Sequence, residues 1–300
     1  MATKIPWCDE TYNPIVGCSK VSAGCQHCFA EKMALRLAGM GVEQYQEVTT
    51  CNEPGTNHWN GKTVFVESAL EKPLHWKKPR KIFVCSMGDL FHETVWFESI
   101  DRIFAVMALC PQHTFMLLTK QAERMAEYFK AFAIRNLTID HWPYPNVHIG
   151  VTVENQKAAD ERIPILLKMP AVKRFISFEP LLEKIHLPEL CEFDCECDVA
   201  PVFVGDVFPD RGINMNDHND EGWKTCCGGC HTEKLKLFVD YSFIGCESGS
   251  GARLCDVKHI AHLVNQLPCP VGIKQIPLNG KCSKFEDRDK WPEDLQVWEM

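Results

Sequence analysis

Residues Asn13 to Phe29 read N-P-I-V-G-C-S-K-V-S-A-G-C-Q-H-C-F, which sets Cys18, Cys25 and Cys28 at C-x6-C-x2-C spacing. An apolar run, Tyr12 to Val16, precedes the thiols, and a helical pattern, Ala30 to Ala38, follows at once. Strand, thiol-bearing loop and helix together open an α/β fold. Three thiolates are one fewer than the four protein ligands that usually close a structural zinc site. Iron–sulfur clusters are otherwise held by four cysteines, so a three-cysteine loop suits a four-iron cluster with one iron left open. Zinc with a fourth ligand from His27, Cys8 or Cys51 is an equal reading of the spacing alone.

Further apolar runs extend the pattern: Thr63 to Glu67, Lys81 to Ser86, Thr114 to Thr119, Val147 to Val153, Arg174 to Phe178, Tyr241 to Gly245 and Val271 to Lys274. Near-continuous apolar runs of this length fit strands buried on both faces. Helical patterns lie between them, at Phe97 to Leu109, Ala122 to Ala133, Gln156 to Leu167 and Val257 to Leu267. Alternation of strand and helix predicts a parallel sheet. The number of strands predicts a TIM-type α/β barrel, partial or full. Neither G-x-G-x-x-G after the first strand nor a phosphate-loop motif is present.

Polar residues close the runs: Ser86, Met87 and Asp89; Lys120; Glu154 and Asn155; Glu179; Glu247; Lys274 and Gln275. In parallel barrels the active site lies at the carboxyl ends of the strands. Asp89 or Glu154 taken singly reads first as a helix cap or an ion pair. Polar tips on six successive strands read as the rim of one mouth, with the cysteine loop beside it.

From about Leu190 to Lys236 the alternation stops, and Cys191, Cys195, Cys197, Cys226, Cys227, Cys230 and His231 accumulate. Cys227-x2-Cys230 is a metal-knuckle spacing whose two glycines permit the tight turn. Cys195 and Cys197 supply the other half, with Cys191 and Cys226 as alternates. Residues 190–236 are thus expected to be an insert held by a metal, zinc before a second iron–sulfur cluster, within a barrel of residues 1–189 and 237–300. Cys85, Cys110, Cys246, Cys255, Cys269 and Cys282 read as small core residues.

The chain has 300 residues, 45% hydrophobic, with 17 cysteines and a net charge of −8. That length is ample for a large core. No apolar run approaches the roughly 18 residues needed to cross a membrane. Met1 to Trp7 is too short and too polar for a signal peptide, so the cytosol is the expected compartment. There, many cysteines point to metal or redox chemistry and away from a disulfide framework. The acidic balance argues against a broadly basic nucleic-acid-coating surface. Lys77 to Lys81, beside Trp76, reads as a solvated lead-in to a strand before it reads as a nucleic-acid contact.

Taken together, Trp7 to Glu31, Lys78 to Glu93, L-L-T-K at Leu117, G-V-T-V-E-N-Q at Gly150, I-S-F-E-P-L-L at Ile176, I-G-C-E-S-G-S-G-A-R at Ile244 and I-K-Q at Ile273 carry a resemblance. The chain resembles an uncharacterised bacterial and phage three-cysteine-motif family similar to divergent radical S-adenosylmethionine enzymes. The loop is three residues longer than the C-x3-C-x2-C usual in that superfamily. The resemblance implies a [4Fe-4S] cluster on Cys18, Cys25 and Cys28, and reduction of S-adenosylmethionine to a 5′-deoxyadenosyl radical. It implies cofactor contacts from Ser86, Met87, Asp89, Glu154 and Asn155. It leaves Lys120, Glu179, Glu247 and Lys274 for substrate, with Lys120, Arg253 and Lys274 for an anionic group. A reducing electron donor is the implied partner, and the substrate is a small molecule or nucleotide; the phage-type resemblance keeps nucleic-acid modification among the classes. A zinc-binding nucleic-acid or protein adaptor, with both cysteine clusters structural, is the competing function. A metal-dependent hydrolase is disfavoured because the 12 histidines are scattered.

Overall fold

Apolar runs bounded by polar tips become the strands of one large sheet. The computed structural model describes residues 5–50, 58–135, 143–187, 239–247, 251–267, 269–278, 280–284, 289–292 and 295. In chain order the strands are β1 (Glu10–Tyr12), β2 (Ile15–Val16), β3 (Thr49–Thr50), β4 (His58–Trp59), β5 (Val64–Phe65), β6 (Lys81–Val84), β7 (Thr114–Thr119), β8 (Val147–Thr152), β9 (Lys173–Phe178), β10 (Tyr241–Gly245), β11 (Val271–Leu278) and β12 (Lys281–Lys284). The α-helices are α1 (Phe29–Gly39), α2 (Glu43–Val48), α3 (Glu67–Leu70), α4 (Phe97–Ala108), α5 (Ala122–Arg135), α6 (Gln156–Leu167) and α7 (Val257–Val264). The expected insert, with Cys195, Cys197, Cys227 and Cys230, lies outside the described residues.

The sheet has eight strands in the order β1-β6-β7-β8-β9-β10-β11-β12. Every neighbouring pair is parallel except β11 with β12. Parallel neighbours need long crossovers, and α4, α5, α6 and α7 each lie between two such strands. Alternation divides the side chains of the sheet between two faces. Ile82, Val84, Phe115, Leu117, Ile149, Val151, Ile176, Phe178, Ile244 and Ile273 join the helices in the main core. Met116, Phe175, Tyr241 and Phe243 join Trp7 and Cys8 in a second core, with Phe83 and Leu118 packed on it.

This second core reports the curvature of the sheet. The Trp7 ring lies 4.7 Å from that of Phe83 on β6 and 4.9 Å from that of Phe243 on β10. Those strands are four steps apart, about 19 Å in a flat sheet, whereas two rings touching one tryptophan lie within about 10 Å of each other. The sheet therefore curls around Trp7. Among the described residues no hydrogen-bonded pair joins β1 to β12. Room inside is tight: a Cβ on Gly150 would stand 2.7 Å from the Phe175 ring.

Two departures from the sequence expectation have local causes. The run from Tyr12 to Val16 is split: β1 ends at Tyr12, and β2 leaves the main sheet to pair antiparallel with β5. Pro14 stands at the break and cannot donate to a ladder. At the other end β11 runs on to Leu278, past the expected Lys274, and β12 pairs back on it antiparallel, with Gly280 at φ +72°. Asn-Gly is a strong two-residue hairpin signal. A smaller core of Val16, Ala34, Ala38, Tyr45, Val48, Trp59 and Met87 supports the cysteine loop from α1, α2 and the short hairpins.

Candidate functional site

The cysteine loop leaves β2 through Gly17, which makes a parallel bridge to Gly88 beyond the end of β6. Its φ is +98°, and a Cβ there would come 2.2 Å from the Lys62 carbonyl oxygen, so only glycine lets the chain pass. Cys18 follows, half-buried; Cys25 is buried in a short turn, and Cys28 sits just before α1. All three are free thiols.

Side chains from several elements fasten this loop. Ser19 Oγ lies 2.8 Å from His92 Nε2, and Lys20 pairs with Glu31 of α1 at 2.8 Å. His92 Nδ1 accepts from Thr94 N at 3.2 Å, so Nε2 carries the hydrogen that Ser19 accepts. Burial lowers the pKa of His92 and keeps it neutral. Arg253 donates to Ala23 O at 2.9 Å, to Gln26 Oε1 at 2.9 Å and to Glu247 Oε1 at 2.6 Å. His27 Nδ1 lies 2.8 Å from Glu247 Oε2. Burial opposes ionisation of Glu247, but hydrogen bonds from the Arg253 side chain, the Arg253 backbone and His27 outweigh it and pull its pKa down to about 2. Glu247 holds Arg253 and His27 against the loop.

The thiols share a crowded electrostatic environment. Burial raises the Cys18 pKa first; Asp89, Cys25 and Cys28 raise it further, and Lys120 acts the other way. Asp89, buried at the end of β6, accepts from Thr119 Oγ1 at 2.7 Å, Phe91 N at 3.0 Å and Lys120 N at 3.2 Å. It ties the tips of β6 and β7 together. Asn13 Oδ1 accepts from Ser86 Oγ at 3.1 Å and Met87 N at 3.0 Å, joining β1 to the same turn.

At the end of β8, Glu154 is fully buried. Arg162 of α6 donates to Glu154 Oε2 at 2.8 Å and to Thr152 O at 2.6 Å. Glu154 Oε1 is buried with no hydrogen-bond partner among the described residues. Gly24 of the cysteine loop packs on this carboxylate, where a Cβ would stand 3.2 Å from Glu154 Cδ. Asn155 caps α6, its side chain accepting from Ala158 N at 2.9 Å. Across the sheet Lys274 pairs with Glu179. The register slips between Ile244 and Gly245, so that β10 skips Lys274 and pairs with Ile273 and then Gln275. Such bulges re-aim a side chain, and here Lys274 turns to Glu179.

Asp89, Lys120, Glu154, Glu179, Glu247 and Lys274 are all buried or half-buried. Asp89 and Lys120 act on Cys18, Glu154 underlies Gly24, and Glu247 holds His27; Glu179 and Lys274 pair beside Gly245. Three residues that sequence reasoning passed over complete the arrangement, His92, Gln26 and Arg162, and His27, weighed from the sequence as a zinc ligand, pairs instead with Glu247. His27 and Gln26 lie inside the quoted stretch, whereas nothing local marks His92 or Arg162 as a partner. Among the described residues no three His, Cys, Asp or Glu side chains converge closely enough to enclose a metal ion. No described helix is long and apolar enough to cross a membrane.

The family model described as "Protein of unknown function (DUF5131)" matches residues 2–270, and the chain belongs to that family. No curated protein and no solved structure matches it.

Proposed function

We propose that this DUF5131 protein is a radical S-adenosylmethionine-type enzyme built on a partial or full parallel barrel. Cys18, Cys25 and Cys28 would hold a [4Fe-4S] cluster that leaves one iron for the cofactor. Support comes from one observation above all: three unpaired thiols ride on a single loop that is tied to the strand ends by Arg253, Glu247, His27 and His92. By donor chemistry the set fits, because soft thiolates select iron–sulfur clusters or zinc, and the loop would have to draw its three sulfurs together to hold one. Burial first, then Asp89 and the neighbouring thiols, raises the Cys18 pKa, and a bound cation would offset that.

When bound, the cluster and S-adenosylmethionine would supply one-electron chemistry able to abstract hydrogen from an unactivated carbon. This chain's own residues would do the rest. The aromatic layer around Trp7 would form the floor of the site. Asp89 and Asn13 hold the tips of β1, β6 and β7 in register. Glu154 Oε1 is poised to accept from a hydroxyl group of a bound molecule. Lys120 and Lys274 are the cations for an anionic substrate group, and a nucleotide or nucleobase is the substrate class in view. The Cys-rich segment 190–236 is proposed to bind zinc through Cys195, Cys197, Cys227 and Cys230.

Anaerobic reconstitution with iron and sulfide is the test. About four irons and four sulfides per chain are expected, lost in Cys18→Ala, Cys25→Ala and Cys28→Ala. Stoichiometric zinc on these cysteines, with no cluster after reconstitution, would replace this reading with a structural adaptor.

A further inference from the structure

Cys246 lies one residue past β10 and Cys282 lies in β12, with β11 between them. Their sulfurs are nevertheless 3.5 Å apart, the Cys246 thiol donating to Cys282. The Gln275 side-chain amide donates to Cys246 O, and Cys246 N donates to Gln275 O at 3.3 Å, which holds the end of β10 over β11. Cys246 is fully buried, while Cys282 is partly exposed.

The two thiols are unequal. Accepting the hydrogen bond from Cys246 lowers the Cys282 pKa; burial and Glu179 oppose this, and Lys274 and Lys284 assist it. The same hydrogen bond, then burial, raises Cys246. A more accessible, more acidic thiol beside a buried, less acidic one is the asymmetry that an attacking and a resolving cysteine require. Cys255 is a third buried thiol within electrostatic range of both.

We propose that Cys282 and Cys246 form a redox-active dithiol at the edge of the mouth, which reacts with low-molecular-weight disulfides of the glutathione type. In the first step the Cys282 thiolate attacks one sulfur of the disulfide, forming a mixed disulfide and expelling one thiolate. Cys246 then gives up its proton and attacks the Cys282 sulfur, forming the Cys246–Cys282 bond and releasing the second thiol. Two protein thiols are oxidised and one external disulfide is reduced, so no other oxidant is needed. A disulfide bond is about 2.05 Å long, so the sulfurs close by about 1.5 Å. The cross-link would tie β12 to the end of β10 beside the Lys274–Glu179 pair. It is independent of any cluster on Cys18, Cys25 and Cys28.

The test is titration of the full chain with oxidised glutathione, acid quench, alkylation and peptide mass spectrometry. Linked peptides carrying Cys246 and Cys282 are expected. Cys246→Ser should accumulate a glutathione adduct on Cys282, Cys282→Ser should give no cross-link, and Cys255→Ser should leave the cross-link unchanged. In the reduced protein Cys282 should alkylate at least about tenfold faster than Cys246, following thiolate fraction and exposure. Two intact thiols after oxidation, or a Cys246–Cys255 link in place of the expected one, would overturn the proposal.

Discussion

Replacing Arg162 with leucine isolates the cost of the buried carboxylate at the end of β8. Arg162 is 7% exposed and, among the described residues, supplies the one hydrogen bond that Glu154 receives on Oε2, while Oε1 receives none. In Arg162→Leu, Glu154 loses its contact counter-ion and keeps the longer-range attraction of Arg253. Breaking a buried pair from one side costs about 3–5 kcal/mol. Losing the hydrogen bond to Thr152 O is part of that loss, at roughly 1 kcal/mol. Removing the charge as well, in Glu154→Gln/Arg162→Leu, should recover at least half, because a neutral amide is far cheaper to bury than a carboxylate. Urea unfolding measures this: with a slope of roughly 3 kcal/mol/M, the midpoint should fall by about 1–1.7 M. A loss under about 1 kcal/mol, or a double variant no more stable than Arg162→Leu, would refute the reasoning.

Two further outcomes follow from the same geometry. Burial first, then Lys173 and Lys81, lower the pKa of His148 to about 4. Because the unfolded value is near 6.5, the unfolded chain binds the extra proton, and stability is full above about pH 6.5 and falls toward pH 4. After allowance for partial exposure this is about 2–3 kcal/mol; the urea midpoint followed against pH should show it, and His148→Gln should flatten that slope. Arg253→Ala removes the contacts to Ala23, Gln26 and Glu247. Amide exchange at residues 22–28 should then rise at least about tenfold, a 1.4 kcal/mol effect, while β7 and β8 stay protected; unchanged exchange would show that the loop is held elsewhere.

The sequence determined the parallel α/β architecture, because a strand buried on both faces must be apolar throughout and a crossover helix must show a 3.6-residue period. Lys81–Val84, Thr114–Thr119, Val147–Thr152 and Tyr241–Gly245 stand where their apolar runs predict strands, and α6 has the expected bounds, Gln156–Leu167. It also marked the three thiols and the polar strand tips, since parallel strands present their carboxyl ends on one side. Only the tertiary structure decided what those tips do. Whether Glu247 faces a ligand or Arg253 and His27, whether Asp89 is open or tied to Thr119 and the Lys120 amide, and whether Arg162 lies under Glu154 all depend on residues 6 to 220 positions apart. No local pattern encodes such distances. The curl that brings Phe83 and Phe243 onto Trp7, and the fold of β10 over β11 that sets Cys246 beside Cys282, are likewise sums of small rotations between neighbouring strands. They arise from packing of the whole sheet, because no single stretch of chain contains them.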